Sequence, residues 1–307
     1  YAKLFNSYYK SIGEHWIQGN RGQLSRPTIE EIFDYRAYVN KRIKKFAGEK
    51  LVEFGLHHEQ QHQELLYMDI KYILGANPLF PQYFKQKMPK AKKPVDKWIK
   101  YSERLYDIGA DNGFCFDNET PKHKKYLYSF KISDSLVTNG QYLEFIRDGG
   151  YQNARLWLSD GYDWISKHHP LYWNKQGEKW FEFSLFGNNP LDPNAPVSHI
   201  SYFEADAFAR WKKMRLPTEE ELEIYFKDHK QSDLWCWSRS SYSPYPGFKP
   251  LEGNLGEYDG KFMCNQFVLR GGCKFTPPGH YRPTYRNFFR PNQQWMFSGI
   301  RLAQDGF

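Results

Sequence analysis

The chain has 307 residues, more than a single hydrophobic core usually serves, so two domains are expected. Its net charge is +8, but seven lysines crowd between Lys85 and Lys100 around Pro89 and Pro94, which reads as a solvated linker and argues against a nucleic-acid face. Cys115, Cys236, Cys264 and Cys273 form no C-x-x-C pair and are sparse for this length, so neither a disulfide scaffold nor a zinc ribbon is indicated, and no run approaches the roughly 20 apolar residues that cross a bilayer. A soluble cytoplasmic protein with no membrane partner is the expectation. Aromatic residues make up 19% of the chain and suit a loop-rich fold whose core is not built from long regular elements.

In chain order, Phe5-Asn6-Ser7-Tyr8-Tyr9 comes first, a polar stretch whose two phenols can donate protons or simply pack. Thr28 and Glu31 then form a capping box, and Ile32, Val39, Ile43 and Phe46 follow at helical spacing until Gly48. The next helix is predicted from about Glu49 to Leu74, stopped by Gly75 and Asn77-Pro78. Two such helices joined by a short turn suggest part of a bundle.

This second helix carries His58 and His62. Residues i and i+4 share a helix face, so the two imidazoles can grip one metal ion. Leu51, Leu65, Leu66 and Ile73 read as the apolar stripe of the same face, which places the histidines toward a packed interior. Histidines satisfied by hydrogen bonds are the plain alternative. The run His58-Glu59-Gln60-Gln61-His62 also matches the zinc-protease pattern H-E-x-x-H, but its extended form needs Gly and His where this chain has Leu65 and Met68.

After the lysine-rich stretch the texture changes at about Leu105. Short β-like runs, Lys125 to Ile132 and Phe267 to Arg270, alternate with three helices opened by capping boxes at Thr138, Ser201 and Thr218. An α+β domain rich in loops is expected. Near its end, Gly279 to Pro291 interleaves arginines with aromatic rings, a combination that suits a zwitterionic ligand or a structural loop equally well.

Taken together, these segments resemble the ergothioneine-biosynthesis sulfoxide synthases, non-haem iron enzymes that join a thiol sulfur to the imidazole of hercynine. The resemblance is carried by Leu4 to Tyr9, Leu24 to Thr28, His58 to Leu66, Phe116 to Glu119, Leu136 to Gly140, Arg215 to Glu219, Tyr245 to Phe248 and Tyr285 to Phe289. It implies a multi-domain α and α+β chain: a DinB-like helical bundle over 1–84, a lysine-rich linker over 85–104, and a formylglycine-generating-enzyme-like domain of C-type-lectin type over 105–307.

It also implies that His58 and His62 ligate Fe(II), that Gln61 and Asn287 contact hercynine, and that Phe288 lies against its trimethylammonium group. Tyr8 and Tyr9 match a tyrosine pair that delivers protons, and Arg282 and Arg286 are candidates for the thiol substrate's carboxylate. Phe289, where an acidic residue would serve a γ-glutamyl amine, favours cysteine over γ-glutamylcysteine. O2 is the co-substrate. The family's third histidine comes from a helix expected upstream of Tyr1, the chain is short between Lys230 and Leu234, and Cys236 stands where a carboxylate is common. The alternatives are a histidine-cysteine sulfoxide synthase of ovothiol type, a zinc hydrolase and a non-catalytic lectin-like binding protein.

Overall fold

The computed structural model describes residues 18–23, 25–252, 255 and 259–306. Helix α1 (Ile29–Ile43) starts at the expected box: the Glu31 N–H donates to the Thr28 hydroxyl, and the Thr28 N–H donates to the Glu31 carboxylate. It tightens into a 3-10 turn over Lys44–Phe46. Helix α2 (Lys50–Gly75) follows with 26 residues and Glu49 as its N-cap. Its last residue has to be glycine for steric reasons, because a Cβ on Gly75 would stand 2.9 Å from the Tyr172 ring and 3.0 Å from that of Phe183.

The expected apolar stripe of α2 is not its buried face. Leu51, Leu66 and Ile73 are exposed, and the residues that go under are Glu64, Met68 and Lys71. The physical reason is that α2 meets the following domain through polar groups that each find a partner there, which hydrophobic periodicity does not count. Helix α1 buries no residue and touches α2 through an exposed Arg36–Glu59 pair at 3.9 Å.

The first strand of the sheet-bearing part starts at Trp98, inside the 85–104 stretch expected as linker, and before it the N–H groups of Tyr83 and Phe84 already donate to the Leu185 carbonyl. Strand β1 (Trp98–Tyr101) pairs antiparallel with β4 (Phe130–Ser133), which also receives β12 (Ala303–Asp305), so the two ends of the domain close one sheet. Strands β2 (Arg104–Ile108) and β3 (His123–Leu127) form a two-stranded ladder. The single run predicted over Lys125–Ile132 is therefore split, with β3 and β4 in different sheets. A meander of β5 (Trp173–Gln176), β6 (Lys179–Ser184) and β7 (Gly187–Pro190) is antiparallel throughout.

Helices α3 (Asn139–Arg147), α5 (Tyr202–Trp211) and α6 (Glu219–Lys227) each open with the capping box read from the sequence, and α4 (Ser159–Trp164) is a short intervening helix. The sheet that matters for the site has the order β10-β9-β8-β11, from β10 (Asn287–Phe289), β9 (Phe267–Arg270), β8 (Trp235–Ser241) and β11 (Ser298–Gly299). Its one parallel pair is β11 with β8. The main core joins Tyr142 and Phe145 of α3, Ala205 and Phe208 of α5, and Trp235, Trp237 and Leu269 of this sheet. Met68 of α2 enters the same core, so the long helix is part of the domain's packing.

Candidate functional site

Helix α2 is clocked against the domain by a seam at 57, 61, 64, 68, 71 and 75, the three-four alternation of a helix that shows one face to a partner. His57 Nδ1 lies 2.9 Å from His280 Nδ1, and the His57 ring stacks on Phe114 at 3.8 Å. Gln61 Nε2 donates to the Tyr285 hydroxyl at 2.6 Å. The buried Glu64 carboxylate accepts the Trp235 indole N–H at 2.6 Å and the Thr276 hydroxyl. Two turns later the buried Lys71 ammonium donates to His199 Nε2 at 2.9 Å, with Glu182 at 4.0 Å and the Tyr172 ring beneath it at 4.8 Å.

Burial governs the ionisation of this seam. It raises Glu64, against the pull of its Thr276 and Trp235 bonds, and lowers Lys71 to about 8 despite Glu182. His199 is pushed well below the usual histidine value by burial and the Lys71 charge, so it is neutral and accepts from the ammonium while its Nδ1 faces the Gln294 carbonyl at 3.3 Å. His280 falls to about 3 through burial, then the charges of Arg282 and His57.

His58 and His62 stand on the neighbouring face, with their Nε2 atoms 3.2 Å apart and ring centroids at 4.6 Å. His58 is half-buried and His62 exposed, on the side shared with Leu51 and Leu66 and not in the packed interior. Burial, then the His62 charge, lowers His58. Among the described residues no group of three His, Cys, Asp or Glu side chains converges for a metal. Two imidazole nitrogens converging at this separation do fit the chelating half of a metal site.

Gln61 brings α2 onto Tyr285, two residues before β10. Asn287 pairs with Leu269 and Phe288 with Val268, and successive strand residues face opposite sides, so the structure sets Asn287 and Phe289 on one face and Phe288 on the other. Phe289 meets Trp295 edge-on at 5.2 Å, whereas Phe288 stacks on Tyr242 at 4.1 Å with planes 9° apart. Beyond the strand lies an open groove of about 910 Å³ lined in part by Phe262, Phe267, Lys261 and the exposed Arg290.

The two arginines expected for a substrate carboxylate are held internally. Arg286 is buried, donates to both Glu219 oxygens at 2.9 Å, and gives its remaining bonds to the carbonyls of Asn118 and Ser243. Arg282 donates to Glu119 and to the His280 carbonyl, with its guanidinium over the Tyr285 ring at 4.8 Å. Bidentate ion pairs of this kind leave little for a ligand. Tyr8 and Tyr9 lie outside the described residues. Cys236 is fully buried beside Ser232 and the Leu234 carbonyl. Sequence reasoning missed His57, Glu64, Lys71 and His280; the signal available for the first three was the spacing of polar residues along α2.

Residues 84–227 match the family described as sulfatase-modifying factor enzyme 1-like domain. Hercynine oxygenase of Mycolicibacterium smegmatis is 30% identical over 245 residues, covering 62% of this chain and 56% of that protein. The hercynine oxygenase of Mycobacterium tuberculosis is 30% identical over 247 residues, covering 64% and 57%. Formylglycine-generating enzyme of Streptomyces coelicolor is 30% identical over 189 residues, covering 56% and 57%. The chain thus spans little more than half the length of these relatives. Its sheet-bearing part is a formylglycine-generating-enzyme-like α+β domain, and the chain is similar to hercynine oxygenases over little more than half of their length.

Proposed function

We propose that this chain serves an Fe(II)- and O2-dependent enzyme that forms a C–S bond between a cysteine thiol and the imidazole of hercynine. Thiol, imidazole C–H and O2 give the sulfoxide and one water, the thiol and C–H each losing a hydrogen. The observation that carries it is the convergence of His58 and His62 beside Gln61, which Tyr285 fastens to the approach of β10. With a further donor the two histidines would hold Fe(II), which supplies the redox chemistry for O2.

The residues of the chain orient the organic substrates. Strand β10 pairs only with β9 among the described strands, so a ligand along its open edge can reach Asn287 and Phe288 although they face opposite sides. Phe288, stacked with Tyr242 and Phe262, would hold the quaternary ammonium within this aromatic group, a cation–π interaction of about 0.5–2 kcal/mol. For the thiol's carboxylate Arg290 is better placed than Arg282 or Arg286, because it is exposed and lines the groove at the end of β10. Cysteine remains the favoured thiol, on the apolar character of Phe289.

A zinc hydrolase is disfavoured because Glu59, its would-be base, is exposed and turned to Arg36. The test is O2 uptake by the full chain with Fe(II), hercynine and either cysteine or γ-glutamylcysteine. Uptake that needs both hercynine and a thiol is expected, with His58→Ala lowering it at least ~100-fold, since the residue would act on the reacting centre. Uptake no greater than without hercynine, with every thiol tried, defeats the proposal.

A further inference from the structure

Behind β10, on the side of Phe288, lies a pair of buried carboxyl groups. Asp117 opens the 3-10 turn Asp117–Glu119, and Asp259 precedes the turn Gly260–Phe262. The two are within hydrogen-bonding reach of each other, and they are only 4% and 5% exposed. The Leu251 N–H donates to Asp117 Oδ2 at 3.4 Å, but Asp117 Oδ1 and Asp259 Oδ2 meet no donor among the described residues. Two carboxylates so close and so dry cannot both carry charge at low cost.

The charged groups facing the pair are already engaged: Glu119 is taken by Arg282, and Arg286 by Glu219. A bound cation is a poor solution, because the side-chain oxygens without a partner there are three among the described residues, Asp117 Oδ1, Asp259 Oδ2 and Asn118 Oδ1, where a hard divalent ion takes six or more. One proton between the carboxyls satisfies both orphan oxygens at once.

The pair is connected to Phe288. Asn118 Nδ2 donates to the Tyr242 hydroxyl at 2.9 Å, that hydroxyl reaches the Asp259 carbonyl at 3.5 Å, and the Tyr242 ring stacks on Phe288. Phe262, three residues after Asp259, also stacks on Phe288, at 5.9 Å. We propose that Asp117 and Asp259 share a single proton and together position Phe288: the proton fastens the 259–262 segment to the 117–119 turn, and Tyr242 and Phe262 carry that fastening to the ring. The consequence for a ligand rests on the proposed role of Phe288; the sharing of the proton does not.

Burial and the Asp117 charge raise Asp259, so the folded chain keeps a proton that the unfolded chain releases near the ordinary value of 3.8. Stability therefore falls as pH rises from that value through the folded one. The test is thermal unfolding of the full, unliganded chain from about pH 5 to about pH 9, for wild type, Asp259→Asn and Asp117→Asn. An asparagine amide donates to the remaining carboxylate at every pH, so both variants are expected to lose the decline and, at the alkaline end, to unfold roughly 2–4 °C above wild type.

Hercynine affinity measured alongside should weaken with pH in wild type and stay level in Asp259→Asn. An unchanged decline in both variants overturns the shared proton. So does stabilisation of wild type by Ca²⁺ that both variants abolish. If hercynine binds at no pH while the variants still flatten the decline, the pair stands and the role of Phe288 falls.

Discussion

Glu64 shows how much a single side chain decides here. Its carboxylate is the common acceptor for a tryptophan on β8 and a threonine in the loop after β9, and it lies two residues from His62. Glu64→Ala strands two buried donors and should cost about 3 kcal/mol in urea unfolding; a loss below about 0.5 kcal/mol would remove Glu64 from this role. His280 contributes to the acid limit alongside His199. Neutral when folded and held at about 3, His280 takes up a proton on unfolding near 6.5, so its contribution is complete above 6.5 and is lost as pH falls from there toward 3. His280→Asn should flatten that part of the stability profile, and an equally steep acid decline in the variant counts against the assignment.

At the scale of elements, α2 carries two unlike faces. Met68 lies in the main core and Leu66 in solvent, although both are apolar and only two residues apart. Met68→Ala is expected to cost about 2–4 kcal/mol, and Leu66→Ala no more than about 0.5 kcal/mol, in denaturant titrations of the full chain. Equal costs would mean that the helix sits in another rotational phase.

The start of this helix, the capping boxes at Thr138, Ser201 and Thr218, and strand β9 were legible in the sequence because each is written in neighbouring residues. The buried face of α2 was not, since it is made of Glu64, Lys71 and Gln61, whose partners come from residues more than a hundred positions away. For the same reason the arginines of Gly279 to Pro291 could not be assigned: Glu119 and Glu219, which hold them, are distant in the chain. The convergence of His58 and His62 followed from their spacing alone.

Over the whole molecule, order is unevenly distributed. Among the described residues, the part from Trp98 onward holds nearly all the buried apolar side chains, while α1 has none and exposes Ile29, Phe33 and Tyr38. Limited proteolysis should therefore cut within or beside α1 first and leave α2 attached to the sheet-bearing domain, since opening free energy follows local burial. Release of α2 together with α1 as the first product would contradict the docking described for the seam.

That docking has a practical meaning for recombining relatives of this chain. Sequence order suggests a crossover near the lysine-rich stretch, with everything before it moved as one block. The seam from His57 to Gly75 places α2 with the sheets that follow, so a functional chimera should be joined in the short turn between α1 and α2. A crossover after Gly75 would instead pair the histidines of one parent with the footing of another.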